Sequence, residues 1–178
     1  MKIITQIITA CKPVSKKEAE NMVYEFKSIK NEFDGRIIEF PKNTIGKIYR
    51  HRGYDISKII RYIPILYKTS VFGWSEPEIK REGHKTHPNI NKYFHYINKF
   101  SDGNDEYFIR LTVTEEKAKQ GKTGAFKLHS TAISKTSLYK NGDGLQRIRV
   151  ITPGEASSSP FLDSRLAHFF NSVKLLIS

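Results

Sequence analysis

Residues 93–134 run YFHYINKF (93–100), SDGNDE (101–106), YFIRLTVTEE (107–116), a charged, glycine-containing connection, and AFKLHSTAIS (125–134). The three longer runs alternate from residue to residue and are rich in β-branched and aromatic side chains, the pattern of strands on a pleated, half-buried surface. SDGND between the first two carries the turn chemistry of a hairpin. The stretch therefore predicts an antiparallel meander.

Side chains on a strand change face with period two. In the middle run Tyr107, Ile109, Leu111 and Val113 share an apolar face, and Phe108, Arg110, Thr112 and Thr114 share the other. In the third, Phe126, Leu128, Ser130 and Ala132 lie opposite Lys127, His129, Thr131 and Ile133. In the first, Tyr93, His95, Ile97 and Lys99 lie opposite Phe94, Tyr96, Asn98 and Phe100. The expectation is a sheet with its apolar face under helices and an outward face that carries His95, Arg110, Lys127, His129 and Thr131. Placing His95 there depends on strand register, which sequence does not fix.

Upstream, Ser15 is followed three positions on by Glu18, the spacing of a capping box, and Ala19, Met22, Val23, Phe26 and Ile29 repeat at helical spacing. A helix over about 15 to 30 follows. RIIEF before Pro41 predicts a short strand, and NTIGKIYRHRG one or two helical turns. Asp55 can cap a helix with the stripe Ile56, Ile59, Ile60 and Ile63, restarted at Pro64 and buried beneath the meander. Residues 71–91, with glycine, proline and charge but no sustained period, predict a long surface connection. Downstream, LQRIRVI predicts a further strand, PGEASSSP a linker, and Asp163 onward a last helix with Leu166, Phe169, Phe170, Val173, Leu176 and Ile177 on one face. The length fits one domain over residues 1–178: a helical region over residues 1–70, a loop over 71–91, a sheet over 92–152, then linker and helix over 153–178.

The charge balance is the informative feature of the composition. Thirty Lys and Arg stand against 18 Asp and Glu, a net charge of +12, an excess that draws in polyanions, above all nucleic acid. Aromatics at 12% supply stacking surfaces for unpaired bases. A single cysteine, Cys11, excludes an internal disulfide and fits a reducing compartment. The first residues lack the continuous apolar core of a signal peptide, and no run approaches a membrane span. No Walker loop, GxGxxG, GxSxG or CxxC is present, which removes the commonest nucleotide, hydride, acyl-transfer and thiol chemistries.

Three constellations carry the remaining chemistry. His84 and His87, with His95 further on, fall short of the ligand count of a structural zinc site, so no metal or other cofactor is expected; both loop histidines can touch phosphate. Lys47, Arg50, His51 and Arg52 form a basic segment that, opening a helix, would bind backbone phosphates. The polar strand face holds the groups for cleaving RNA without a metal. These are a base for the 2′-OH proton, an acid for the leaving 5′ oxygen, and cations for the charge growing on phosphorus.

The order RIIEFPKNTIGKIYRHRGYD, IIRYIPIL, KYFHYINKF, DEYFIRLTVTEE and KLHSTAIS resembles the large polyvalent protein-associated domains of phages and mobile elements. These in turn resemble the barnase, EndoU, colicin and RelE superfamily of ribonuclease folds. The resemblance spans about Arg36 to Tyr139 and rests on patterns, not on an invariant motif. It implies an α+β fold in which N-terminal helices pack on a four-stranded antiparallel sheet; with the strand and helix read downstream, the expected fold is α+β, N-terminal helices on one face of a four- to five-stranded antiparallel sheet and a C-terminal helix. It also implies a metal-independent endoribonuclease acting on tRNA or other RNA, used as a toxin or carried by a mobile element. His95, Arg110, His129 with Ser130 and Thr131, and Lys47 match positions where such proteins place polar groups.

Three functions are therefore in play. In the first, His95 and His129 share base and acid duties, Arg110 and Lys127 stabilise the phosphorane, and Thr131 orients a phosphate oxygen. In the second, a phage-borne accessory module binds nucleic acid without chemistry. In the third, the C-terminal helix docks a neutralising or host protein. Each places the protein in a cytoplasm, its own or a target's.

Overall fold

The computed structural model describes residues 5–8, 12–22, 25–26, 28–49, 56–79, 87–118, 124–140 and 146–151. In chain order the elements are β1 (Thr5–Ile7), α1 (Lys16–Met22), β2 (Ile29–Lys30), β3 (Ile37–Ile38), α2 (Lys42–Ile48), two 3-10 turns (Ile56–Lys58 and Ile60–Tyr62), α3 (Ile63–Lys68), β4 (Val71–Pro77), β5 (Ile90–Ser101), β6 (Glu106–Glu116), β7 (Phe126–Lys140) and β8 (Gln146–Ile151). The class is α+β, as expected.

The meander forms where alternation places it. β5, β6, β7 and β8 pair antiparallel in sequence order. The turn between β5 and β6 closes because Asp102 Oδ1 accepts the N–H groups of Asn104 and Asp105 at 3.1 and 3.0 Å. Gly103 there takes a φ of 94°, a left-handed conformation that favours glycine. Two strands flank the other side of β5: β4 runs antiparallel along Lys92–Ile97, and β1 runs parallel along Lys99–Ser101.

One face of the sheet carries the core. Phe94, Tyr96 and Phe100 of β5 and Ile109, Leu111 and Val113 of β6 meet Ile45 and Ile48 of α2, the isoleucines of the 3-10 turns, and Ile63 and Leu66 of α3, all buried. Pro64 sits in the first turn of α3, where its missing N–H has no intrahelical role. Asn98, the polar member of that face, is satisfied by donating to the Leu66 carbonyl at 2.7 Å.

The capping box is formed: Ser15 N–H donates to Glu18 Oε2 at 2.6 Å, and Glu18 N–H donates to Ser15 Oγ at 3.2 Å. Removing the cap with Ser15→Ala is expected to lower stability by about 1 kcal/mol, read as a shift of the urea midpoint at unchanged slope.

Three expectations are corrected. The first helix ends at Met22, and Ile29 lies in β2, paired with β3; Phe26 and Ile29 still pack on the core, so their spacing reported burial and not helix. The long connection from Val71 begins as strand β4, whose alternation is interrupted by an irregularity between Phe72 and Trp74, at Gly73. The second face of the sheet is also not an open one: Ile97 is 1% exposed and His95 6%, with Val71 and Phe108 buried beside them. The expected C-terminal helix lies outside the described residues.

Candidate nucleic-acid interface

His129 owes its position to a bulge. Thr112 pairs with Ser130 but Val113 pairs with Leu128, so His129 is an extra residue in β7. Beyond it the alternation is inverted: Thr131 pairs with Leu111 on the core face and is 4% exposed. The expected outward position of Thr131 is therefore corrected, because one inserted residue moves every later side chain to the other face.

At the bulge the His129 ring meets Tyr93 of β5 edge to face at 5.5 Å, and His87, just before β5, in the same manner at 6.1 Å. Glu78, just after β4, closes the group. Its Oε1 accepts the His87 backbone N–H at 2.9 Å, and its carboxylate also accepts from the Tyr93 hydroxyl. These two donors, with the charges of His87 and His129, hold Glu78 below the usual carboxylate range. His129 is held below the usual histidine value, first by burial, then by His87 and Lys47, while Glu78 opposes the shift. Lys47, exposed in the last turn of α2, thus acts on the same corner. It sits at the C-terminal end of its helix, so the expected role of a helix-opening segment with free N–H groups does not apply to it.

Of the remaining strand-face residues, His95 and Lys127 are held by partners, whereas Arg110 has its Nε buried without a hydrogen-bond partner among the described residues. His95 Nε2 lies 3.2 Å from Glu76 Oε1 and Nδ1 lies 3.2 Å from Thr112 Oγ1, with Trp74 stacked on the ring at 4.6 Å. It belongs to β5 and His129 to β7, with β6 between them, so their backbones stand about 10 Å apart. Lys127 Nζ pairs with Glu116 at 2.8 Å. Arg110 lies between Ile97 and Ala132, and burial lowers its pKa against the opposing charge of Glu76. His95, Arg110 and Lys127 thus keep one face in neighbouring rows, and of the five residues expected to meet there Thr131 alone is turned to the core.

Of the residues singled out from sequence, His87 and His129 come into ring contact and the charge of Lys47 reaches His129; Arg50, His51, Arg52 and His84 lie outside the described residues. Tyr93 and Glu78 were missed. Tyr93 was legible as a member of the His95 face, whereas Glu78, in an unpatterned segment, carried no signal. Among the described residues no group of three or more His, Cys, Asp or Glu is placed to hold a metal ion. No helix there is long and apolar enough to cross a membrane.

Searches of curated proteins and of solved structures return no match. Residues 12–127 do match a family model, that of large polyvalent protein-associated domain 3, over well more than half of the 178 residues, and the chain belongs to that phage-associated family.

Proposed function

We propose that this domain is an accessory nucleic-acid-binding module that grips the phosphate backbone, RNA included, at the corner formed by the end of α2, the start of β5 and the bulge of β7. The observation that carries the reading is the ring contact of His87 and His129 at 6.1 Å, with the charge of Lys47 acting on His129. Imidazole N–H groups and a lysine ammonium are phosphate donors. The net charge of +12 draws a polyanion toward them. Fluorescence anisotropy with labelled RNA and DNA over a salt series is the test. Log affinity is expected to fall linearly with log salt, and Lys47→Ala to reduce the slope by about one. Equal affinity in wild type and in a Lys47→Ala, His129→Ala double variant would remove the corner from the interface.

A second reading, metal-independent RNA cleavage, is favoured by the spacing of the two imidazoles. His129, neutral near pH 7 through burial, would take the 2′-OH proton. The O2′–P bond would form as the P–O5′ bond breaks, His87 protonating the leaving oxygen and Lys47 offsetting charge on phosphorus, to leave a 2′,3′-cyclic phosphate. His95 has no role in this scheme, because both of its nitrogens are engaged. Incubation with tRNA in EDTA distinguishes the two readings: cutting that His129→Ala abolishes establishes the endoribonuclease, and binding without cutting leaves the accessory module.

A further inference from the structure

Glu78 sits among the polar groups of this corner. Its carboxylate takes the His87 backbone N–H at 2.9 Å and the Tyr93 hydroxyl, and it feels the charges of His87 and His129. A backbone N–H and a phenol converging on one anion, with two imidazoles close by, are groups of the kind with which proteins hold a phosphate oxygen. The Glu78 backbone is anchored, donating its N–H to the Asn91 carbonyl at 3.2 Å. Its side chain is only half-buried, so it can turn to solvent without moving the strand.

We propose that Lys47, His87, Tyr93 and His129 form a site for one phosphate group of a nucleic-acid strand, and that Glu78 fills this site in the free protein as an internal competitor. The proposal rests on the reading that this corner meets nucleic acid, and adds what controls its occupancy. Two anions cannot share the donors. The carboxylate is ionised at neutral pH, so a phosphate enters only as Glu78 rotates out. A small free anion gains little against that competition. A polymer, already concentrated at the surface by the protein's charge, displaces the carboxylate far more readily.

The test uses Glu78→Gln, which keeps an acceptor for the His87 N–H while removing the charge, and Glu78→Ala, which removes both. Anisotropy of a short labelled RNA is expected to report binding about tenfold tighter than wild type for each variant, the effect of deleting one nearby like charge. Inorganic phosphate is expected to compete for the RNA at lower concentration with Glu78→Ala than with wild type. Comparing 5′-phosphorylated with 5′-hydroxyl RNA identifies the source: a gain confined to the former assigns a terminal phosphate, and equal gains assign an internal diester. If wild type binds RNA through Lys47 and His129 but neither Glu78 variant binds more tightly, the competitor role is overturned and the interface stands. If no form binds RNA, both fall. Should Glu78→Ala fail to fold, Glu78→Gln alone decides.

Discussion

Replacing Asn31 with alanine is expected to cost about 3–5 kcal/mol of folding stability, a large share of what a domain of this size possesses. Asn31 is wholly buried and serves four backbone groups at once. Its Nδ2 donates to the carbonyls of Tyr67 at 2.8 Å and Ser70 at 2.9 Å, while Oδ1 accepts the N–H groups of Phe33 at 2.9 Å and Asp34 at 3.1 Å. The side chain thereby ties the β2–β3 turn to the end of α3 and the approach to β4. Truncation leaves buried donors and acceptors without partners, which costs more than the loss of bonds on an exposed loop. Asn31→Asp keeps the acceptor but turns a carboxylate oxygen toward two carbonyls, so it is expected to be at least as damaging. Asn98→Ala, which also removes bonds to Leu66 and Thr69, tests the same principle beneath the sheet. Urea denaturation followed by circular dichroism measures all three; an Asn31→Ala midpoint within experimental error of wild type would show that water replaces the lost partners.

Asn31 is invisible in sequence, lying just beyond an amphipathic pattern that accounts for its neighbours. What is legible is whatever one buried face imposes at a fixed period. Tyr107, Ile109, Leu111 and Val113 fall on the core because an eleven-residue strand has no other way to bury them. The stripe from Ile56 to Ile63 is buried as expected, although some of it is wound as 3-10 turns and not as α-helix. What escapes the pattern is whatever a single residue can reset. Gly73 disguises β4, and the bulge at His129 sends Thr131 inward without changing composition or pattern. The site follows the same division. Lys47, His87 and His129 each stand out in sequence for their chemistry, but their approach depends on α2, the segment before β5 and the irregular strand β7. His95 stands out on the same grounds and is held by Glu76, Thr112 and Trp74 within the sheet.

The electrostatics of His129 give the second large expectation, a dependence on pH with opposite signs for folding and for binding. Unfolded, the imidazole takes up a proton near pH 6.5. Folded, burial and the neighbouring His87 and Lys47 defer that uptake to lower pH. Between those limits the unfolded chain binds more protons, so the stability from a neutral His129 is fully present above about pH 6.5 and is lost as pH falls toward the folded value. A phosphate against the ring favours the imidazolium instead. Binding then takes up a proton and tightens as pH falls, by at most about tenfold per pH unit for each proton. From about pH 7.5 to about pH 5.5, the urea midpoint of the free protein is expected to decline while its affinity for RNA rises. The informative quantity is the difference between wild type and His129→Ala, which should lose some of both slopes together. His87→Ala removes a neighbour that opposes protonation of His129, so it should weaken the pH dependence of stability while leaving His129 able to take up a proton on binding. A binding slope unaltered by His129→Ala would mean that phosphate is held elsewhere, and that the imidazole pair at the bulge is only a packing contact between β7 and the segment before β5.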